Sequence, residues 1–458
     1  MSDKVTLREK IGYGFGDAAS SMFWKIFSIF LPFFYTDVFG ISAAAVGTMF
    51  LATRIWDTAN DPLMGVLCDR TTTKWGKFRP YLLWVAVPFG VVGVLMFTTP
   101  DLGLTGKLIY AYITYTLMMM VYTAINVPYA SLLGVMSPKS NDRTLFASYR
   151  MAFAFAGSIL VVLIYQPLVD GFKNVVAVTT AYQLTMVVVG CLVIIMFLLT
   201  FSWTRERISP PKEQKNNLKE DLKNLVGNIP WFVLLGAGVA TLVFNSVRDG
   251  VTLYYFKYFI SDDVALSWTS ATFTFSTLYL FLGQATNMIG VIMAKSVSSV
   301  LGKRKTFMYA MFCAAILSGF FFFVGKNNLW LIYTLQGLIS FCAGIVFPLL
   351  WSMYADAADF SEWKTGRRAT GLVFSASSMS QKLGWTIGGS ITLWLLAFYG
   401  FEANVDQSAE TIKGIKYMMS FVPGGAALLS GLVMMLYSLN DKKMVSINAE
   451  LDQRRNAE

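Results

Sequence analysis

The chain contains no histidine. That absence excludes a histidine-centred metal site and a histidine proton relay, so any proton chemistry falls to carboxylates. Cysteine is scarce as well. Cys68, Cys191, Cys313 and Cys342 are scattered over different apolar runs without metal-ligand spacing, and they read as small core hydrophobes. Charge is the third shortage, because only 14% of the 458 residues are Asp, Glu, Lys or Arg, against roughly 25% in soluble domains. A polytopic enzyme would need a nucleophile–base pair or a metal site. The missing histidine and unclustered cysteines argue against one, and no cofactor is expected.

What the chain has instead is apolar length: 55% of its residues are hydrophobic and 15% aromatic. A helix needs about 20 mostly apolar residues to cross about 30 Å of hydrocarbon. Such runs recur at about 10–37, 42–68, 80–99, 105–135, 145–170, 178–202, 230–260, 266–297, 305–325, 327–357, 370–399 and 412–440. The expectation is an all-α polytopic membrane protein of about twelve transmembrane helices. The first run is too long for a signal peptide and lacks a small-residue cleavage site, so it reads as the first span.

The net charge of +10 is distributed as topology rather than as a surface for nucleic acid. Basic residues crowd alternate loops, at Arg70, Lys74, Lys77 and Arg79, at Lys139 and Arg143, and at Arg205 to Lys223. They crowd again at Lys295 to Lys305 and at Lys364, Arg367 and Arg368. The positive-inside rule then puts these loops and both termini in the cytoplasm.

One stretch has linker composition, "TRERISPPKEQKNNLKEDLKNLVGN", and it divides the chain. The reading is an N-terminal six-helix bundle over 1–203, a cytoplasmic linker over 204–228, a C-terminal six-helix bundle over 229–441 and a cytoplasmic tail over 442–458. Two weak internal echoes agree. "GVLCDRTTTKWGKFRP" returns as "GVIMAKSVSSVLGKRK", so that Gly76-Lys77 answers Gly302-Lys303, and Pro128 in "NVPYASLL" answers Pro348 in "VFPLLWSM". Two such bundles with a solute site near the midplane are the architecture of a major facilitator transporter.

Charges inside apolar runs are costly and mark function or pairing. In "RIWDTANDPLMG", Asp57 and Asp61 lie one turn apart on one helix face. Both stay ionised only if a cation or proton joins them. Such a pair suits a coupling ion, Na+ or H+. Asn60 adds a neutral oxygen, and Pro62 is expected to loosen the turn and free the Thr58 carbonyl. The competing reading is a structural set in which Arg54 and Lys382 hold the two carboxylates. Lys382 is the one deep charge of "SSMSQKLGWTIGG", beside Ser378 and Gln381.

In the first span Asp17, Ser21 and Lys25 recur every fourth residue beside Trp24, a stripe suited to a hydroxyl-rich solute with the indole against a sugar face. Thr123, Asn126 and Tyr129 add neutral polar groups in the fourth span. Arg150 ends "NDRTLFASYR", which reads as a loop entering the membrane, and is either a solute or gate contact or an interfacial anchor. Arg248-Asp249 reads as a locally neutralised pair or as a functional one, with neither preferred.

These stretches together resemble a known family. "KIGYGFGD", "FFYTDVFGI", "RIWDTANDPLMG", "DRTTTKWGKFRP", "YTAINVPYASL" and "ADAADFSEWKTGRRATG" run in order along nearly the whole chain and are similar to the glycoside–pentoside–hexuronide:cation symporters, the group that includes the melibiose permease. The resemblance implies a major facilitator fold of two six-helix bundles in a bacterial inner membrane. It implies sugar or glycoside import by symport with Na+ or H+, with no cofactor. Carried over position by position, it puts the cation site on Asp57, Asn60, Asp61 and Thr123 with Lys382 as basic partner. The sugar site falls on Ser21, Asn126 and Arg150. The melibiose permease has carboxylates at the first two of these positions, so melibiose itself is disfavoured here. Lys25 with Arg150 leans the cavity positive and suits an anionic sugar such as a hexuronide.

The resemblance also marks a cytoplasmic gate, with Asp69 and Arg70 in the signature loop and Asp356, Asp359, Glu362, Arg367 and Arg368 around the tenth span. The alternative to a sugar is a lysolipid or other amphiphile on the same scaffold. The expected partners are the sugar and the lipid bilayer, with monomer as the default for this architecture.

Overall fold

A computed structural model describes residues 5–137, 140–207, 227–261, 264–268, 271–365, 370–439 and 441–457. The side chains of Asp61, Asp69 and Ser378, and residues Arg367 and Arg368 altogether, lie outside the described residues.

Among the described residues, helices cover the expected apolar runs apart from the start of the one near 266. In chain order they are α1 (Leu7–Val38), α2 (Ala43–Arg70), α3 (79–96), α4 (Leu104–Met136), α5 (Ser140–Lys173) and α6 (Val178–Trp203). The second set is α7 (Ile229–Ile260), α8 (Phe275–Leu301), α9 (Lys303–Phe321), α10 (Leu329–Thr365), α11 (Thr370–Phe398), α12 (Ala409–Met434) and α13 (Asp441–Ala457). Among the described residues, eight of these helices are both long and apolar enough to cross a membrane. Helix α2 runs unbroken through Pro62, so the expected loosening of that turn does not interrupt the helix.

Two expectations are corrected. The run beginning near 266 opens not as helix but as an antiparallel pair, β1 (Val264–Trp268) and β2 (Ala271–Thr274), with Trp268 opposite Ala271. Thr, Trp and Phe fit a pleated surface better than a helix surface, and α8 starts only at Phe275. The stretch before Arg150 is helix rather than loop, since α5 begins at Ser140. Asp142 in its first turn faces the positive end of the helix dipole and accepts from Ser137 Oγ at 2.7 Å.

The chain groups into two compact units. The first comprises Met1–Lys212, Ser261–Phe281 and Gly400–Gln407, and the second Glu213–Ile260, Leu282–Tyr399 and Ser408–Glu458. Each unit is built on the same scheme. In the first, α1 packs on α5 and α6, and α3 on α6. In the second, α7 packs on α11 and α12, and α9 on α12. The same helices, six places on, repeat the same partnerships, which is the structural form of the weak sequence echo. The first span of each unit also ends in π-helical turns, Ile26–Phe30 and Phe34–Val38 in α1 and Phe256–Ile260 in α7. Such turns displace backbone bonds and often mark functional segments.

Close packing needs small residues. Helix α5 approaches α1 so tightly that a Cβ at Gly157 would lie 2.5 Å from the Ala18 carbonyl oxygen. That contact brings α1 and α5 together beside the first unit's charged side chains.

Candidate functional site

Helices α1, α2, α4 and α5 place a group of polar side chains inside the first unit. Asp57 on α2 is 2% exposed, and both of its oxygens are engaged. Oδ2 meets Arg54 Nη1 at 2.5 Å, one helical turn back, and Oδ1 accepts from Thr123 Oγ1 on α4 at 3.1 Å. Arg54 is itself buried, and its guanidinium lies over the Trp24 ring of α1 at 5.6 Å. A carboxylate removed from water needs an opposite charge. Here the protein's own arginine supplies it, with a hydroxyl on the second oxygen.

The second cluster holds a more open ion pair. Arg150 Nε on α5 meets Asp17 Oδ2 on α1 at 3.1 Å, with the arginine side chain 35% exposed and the aspartate 17%. The guanidinium also lies over the Tyr129 ring at 5.3 Å. That ring is fixed in turn, because Tyr129 donates to the Tyr13 carbonyl at 2.6 Å and stacks on the Tyr13 ring at 4.8 Å. Arg150 is therefore held within the first unit by Asp17 of α1 and Tyr129 of α4. Its charge is matched by Asp17.

Tyr122 lies between the two clusters, within electrostatic reach of Asp17, Arg54, Asp57 and Arg150. Its ring lies 5.9 Å from that of Trp24, and its carbonyl accepts from Asn126 Nδ2 at 3.0 Å. Asn126 Oδ1 accepts from Ser20 Oγ at 2.7 Å. The residue that meets Asn126 from α1 is thus Ser20, which sequence reasoning passed over in favour of its neighbour Ser21. Ser21, Lys25 and Asn60 are half-buried. The remaining signal for Ser20 was slight, a second serine in "AASSM" one position out of the four-residue stripe.

In the second unit Lys382 and Gln381 lie half-buried on α11, where the Lys382 carbonyl accepts from Thr386 Oγ1. Gln381 Nε2 is buried without a hydrogen-bond partner among the described residues. Arg248 on α7 is buried and donates from Nη2 to Gln336 Oε1 at 2.6 Å and from Nη1 to the Met419 carbonyl at 3.2 Å. Of the expected gate residues, Asp356 is held by Lys303 Nζ at 2.7 and 3.0 Å, Asp359 and Glu362 are half-buried, and Arg70 is exposed at the end of α2.

Chemically, the first unit offers a neutralised carboxylate with a hydroxyl partner beside a half-open array of amide, hydroxyl, guanidinium and aromatic groups. The first can exchange a counter-ion. The second can grip a polyol, since sugars are held by planar hydrogen-bond donors and acceptors and by rings against their apolar faces.

Comparison with known proteins places the chain among transporters. The profile of the family described as MFS/sugar transport protein matches residues 12–441. Over 462 residues the chain is 36% identical to the putative glycoside/cation symporter YagG of Escherichia coli (strain K12), an alignment covering 99% of this chain and 97% of that one. It is 33% identical over 464 residues to the isoprimeverose transporter of Lactiplantibacillus pentosus, covering 98% of this chain and 92% of that one. Among solved structures, a bacterial homolog to the human lysosomal transporter Spinster, inward-facing and unoccupied, matches with a TM-score of 0.69 at 11% identity, over 96% of this chain and 97% of that chain. That likeness bears on the fold alone.

Proposed function

The chain belongs to the MFS/sugar transport protein family, among its glycoside–pentoside–hexuronide:cation symporters, and on that premise we propose that it imports a neutral glycoside or pentoside by symport with Na+ or H+. About twelve transmembrane helices, in two six-helix halves joined by the linker over 204–228, carry the solute by alternating access, with both termini and the tail over 442–458 in the cytoplasm of a bacterial inner membrane. The protein is a transporter rather than an enzyme and acts as a monomer.

One observation carries the reading: Asp57 is buried with its charge balanced by Arg54 and its second oxygen on Thr123. A Na+ or a proton on this carboxylate replaces Arg54 as the neutralising partner. The released guanidinium, already over the Trp24 ring, then donates to a sugar bound beside Trp24 and Tyr122. Asn60 and Asp61 complete the cation's oxygen set. Cation binding therefore raises sugar affinity, and the sugar raises cation affinity by the same factor.

The sugar is gripped by Asp17, Ser21, Asn126 and Arg150, with Trp24 as the ring surface and Lys25 at the edge. The matched Asp17–Arg150 pair favours a neutral solute over a hexuronide, and the array of hydroxyl and amide groups favours a sugar over an amphiphile. The relative named as an isoprimeverose transporter makes isoprimeverose the first probe. Asp69, Arg70, Asp356, Asp359, Glu362, Arg367 and Arg368 close the cytoplasmic face.

The test is a current recording from proteoliposomes on a solid support, jumping a panel of glycosides, pentosides and hexuronides with and without sodium. A sugar-specific inward charge movement that requires sodium, or follows pH in its absence, is the expected result. Silence across the panel contradicts the proposal.

A further inference from the structure

The sequence echo at Gly76-Lys77 and Gly302-Lys303 is not used by the solute site, and in the structure it becomes a repeated clamp. In the first unit, the residue in question is Glu206, three positions beyond the end of α6. Its Oε2 accepts from the Lys77 amide at 2.9 Å, and its Oε1 from the amides of Phe78 and Arg79 at 2.8 and 2.9 Å. These are the amides at the start of α3, which have no partner inside that helix. A carboxylate there is favoured by the helix dipole as well as by three charge-assisted bonds. The turn leaves no room for a side chain, because Gly76 has φ +111° and a Cβ there would overlap the Glu206 carboxylate. In return, Arg79 donates through Nη2 to the Phe201 carbonyl at 2.7 Å, in the last turn of α6. The neighbouring Arg207 reaches Glu9 Oε1 at 2.6 Å and the Met136 carbonyl at 3.1 Å, which ties in the ends of α1 and α4.

The second unit has the same parts in the same order. Asp441, seven positions beyond α12 and the first residue of α13, accepts from the Lys303 amide at 3.2 Å at the start of α9. Gly302 has φ +83°, and a Cβ there would overlap the Asp441 carboxylate. Arg304 donates through Nη2 to the Met435 carbonyl at the end of α12. In both units, then, a carboxylate following the last long helix caps the third, and an arginine from the third caps the last.

We propose that Glu206 and Asp441 are matched positioning residues for transport, each clamping a Gly-Lys turn to the end of its unit's last long helix so that the unit reorients as one body. The inference rests on the transport reading above. Loss of the clamp lets the basic turn lag behind the bundle, which slows reorientation while leaving the solute site intact. Glu206, with three amide bonds, carries more of this than Asp441 with one.

The test pairs amide hydrogen exchange on the full-length protein with transport kinetics in proteoliposomes. In Glu206→Gln, exchange at residues 77–79 rises by about tenfold or more. The maximal transport rate falls about tenfold, with KM and equilibrium sugar binding unchanged. Asp441→Asn shows the same pattern around residue 303 at smaller size. Unchanged protection at 77–79 overturns the proposal, as does lost protection with an intact maximal rate. Glu206→Asp keeps the carboxylate and is expected to recover part of both signals. A loss as large as that in Glu206→Gln counts against the clamp. The exchange readout needs no substrate, so a protein that shows the clamp but moves no sugar refutes the transport reading and not the contact.

Discussion

Each unit buries an arginine, Arg54 in the first and Arg248 in the second, and the two have different partners. In the first, Asp57 meets Arg54 and Asp17 meets Arg150, carboxylate against guanidinium. In the second, the buried Arg248 is met by the Gln336 carboxamide and the Met419 carbonyl. A carboxylate balanced by an internal cation can exchange that partner for another cation, because the net charge of the site is the same before and after. The Gln336 carboxamide and the Met419 carbonyl are neutral and offer no such exchange. The proposed coupling therefore rests on Asp57 in the first unit.

The assignment can be broken in three places. The largest effect is expected at Asp57. Asp57→Asn removes the ion-binding carboxylate and should lower cation-driven sugar accumulation by about 100-fold or more, while cation-independent exchange of sugar across the membrane persists at a reduced level. It also leaves Arg54 buried without its carboxylate, a cost of about 3–5 kcal/mol that a thermal unfolding scan registers. An intermediate effect is expected at Arg150. Arg150→Gln keeps a planar donor and loses the charge, so KM for the sugar should rise about tenfold with the cation dependence retained, measured as uptake at varied sugar and sodium. The smallest transport effect is expected in the second unit. Gln336→Leu removes the acceptor of Arg248 and should cost about 1–3 kcal/mol in stability, yet leave KM and cation dependence within about twofold. A Gln336→Leu protein that loses cation coupling would erase the difference between the units.

Much of this was legible in the sequence. Apolar length located the helices, because the bilayer sets a minimum span that few residue types satisfy. Asp57 and Thr123 stood out because polar groups in such spans are rare, and Arg54 was visible as a partner one turn from Asp57. The Asp17–Arg150 pair was not, since it joins helices far apart in the chain and no local pattern encodes that contact. Ser20 was missed in favour of Ser21 because one residue turns a helix face by about 100°, and only packing decides which of two adjacent serines faces α4. The β1–β2 pair was taken as helix because a short apolar run has no period that separates the two. Glu206 was counted among linker charges, and its role emerged only when the start of α3 was seen to lie against it.

The most direct test of the account is calorimetric titration of sugar into the purified protein with and without the coupling cation, for the wild type and for Asp57→Asn. The account predicts that the cation tightens sugar binding in the wild type by about fivefold or more and has no effect in Asp57→Asn, whose cation-free affinity rises toward that of the cation-loaded wild type because Arg54 is already released. Equal cation enhancement in both proteins would contradict it and move the coupling site away from Asp57.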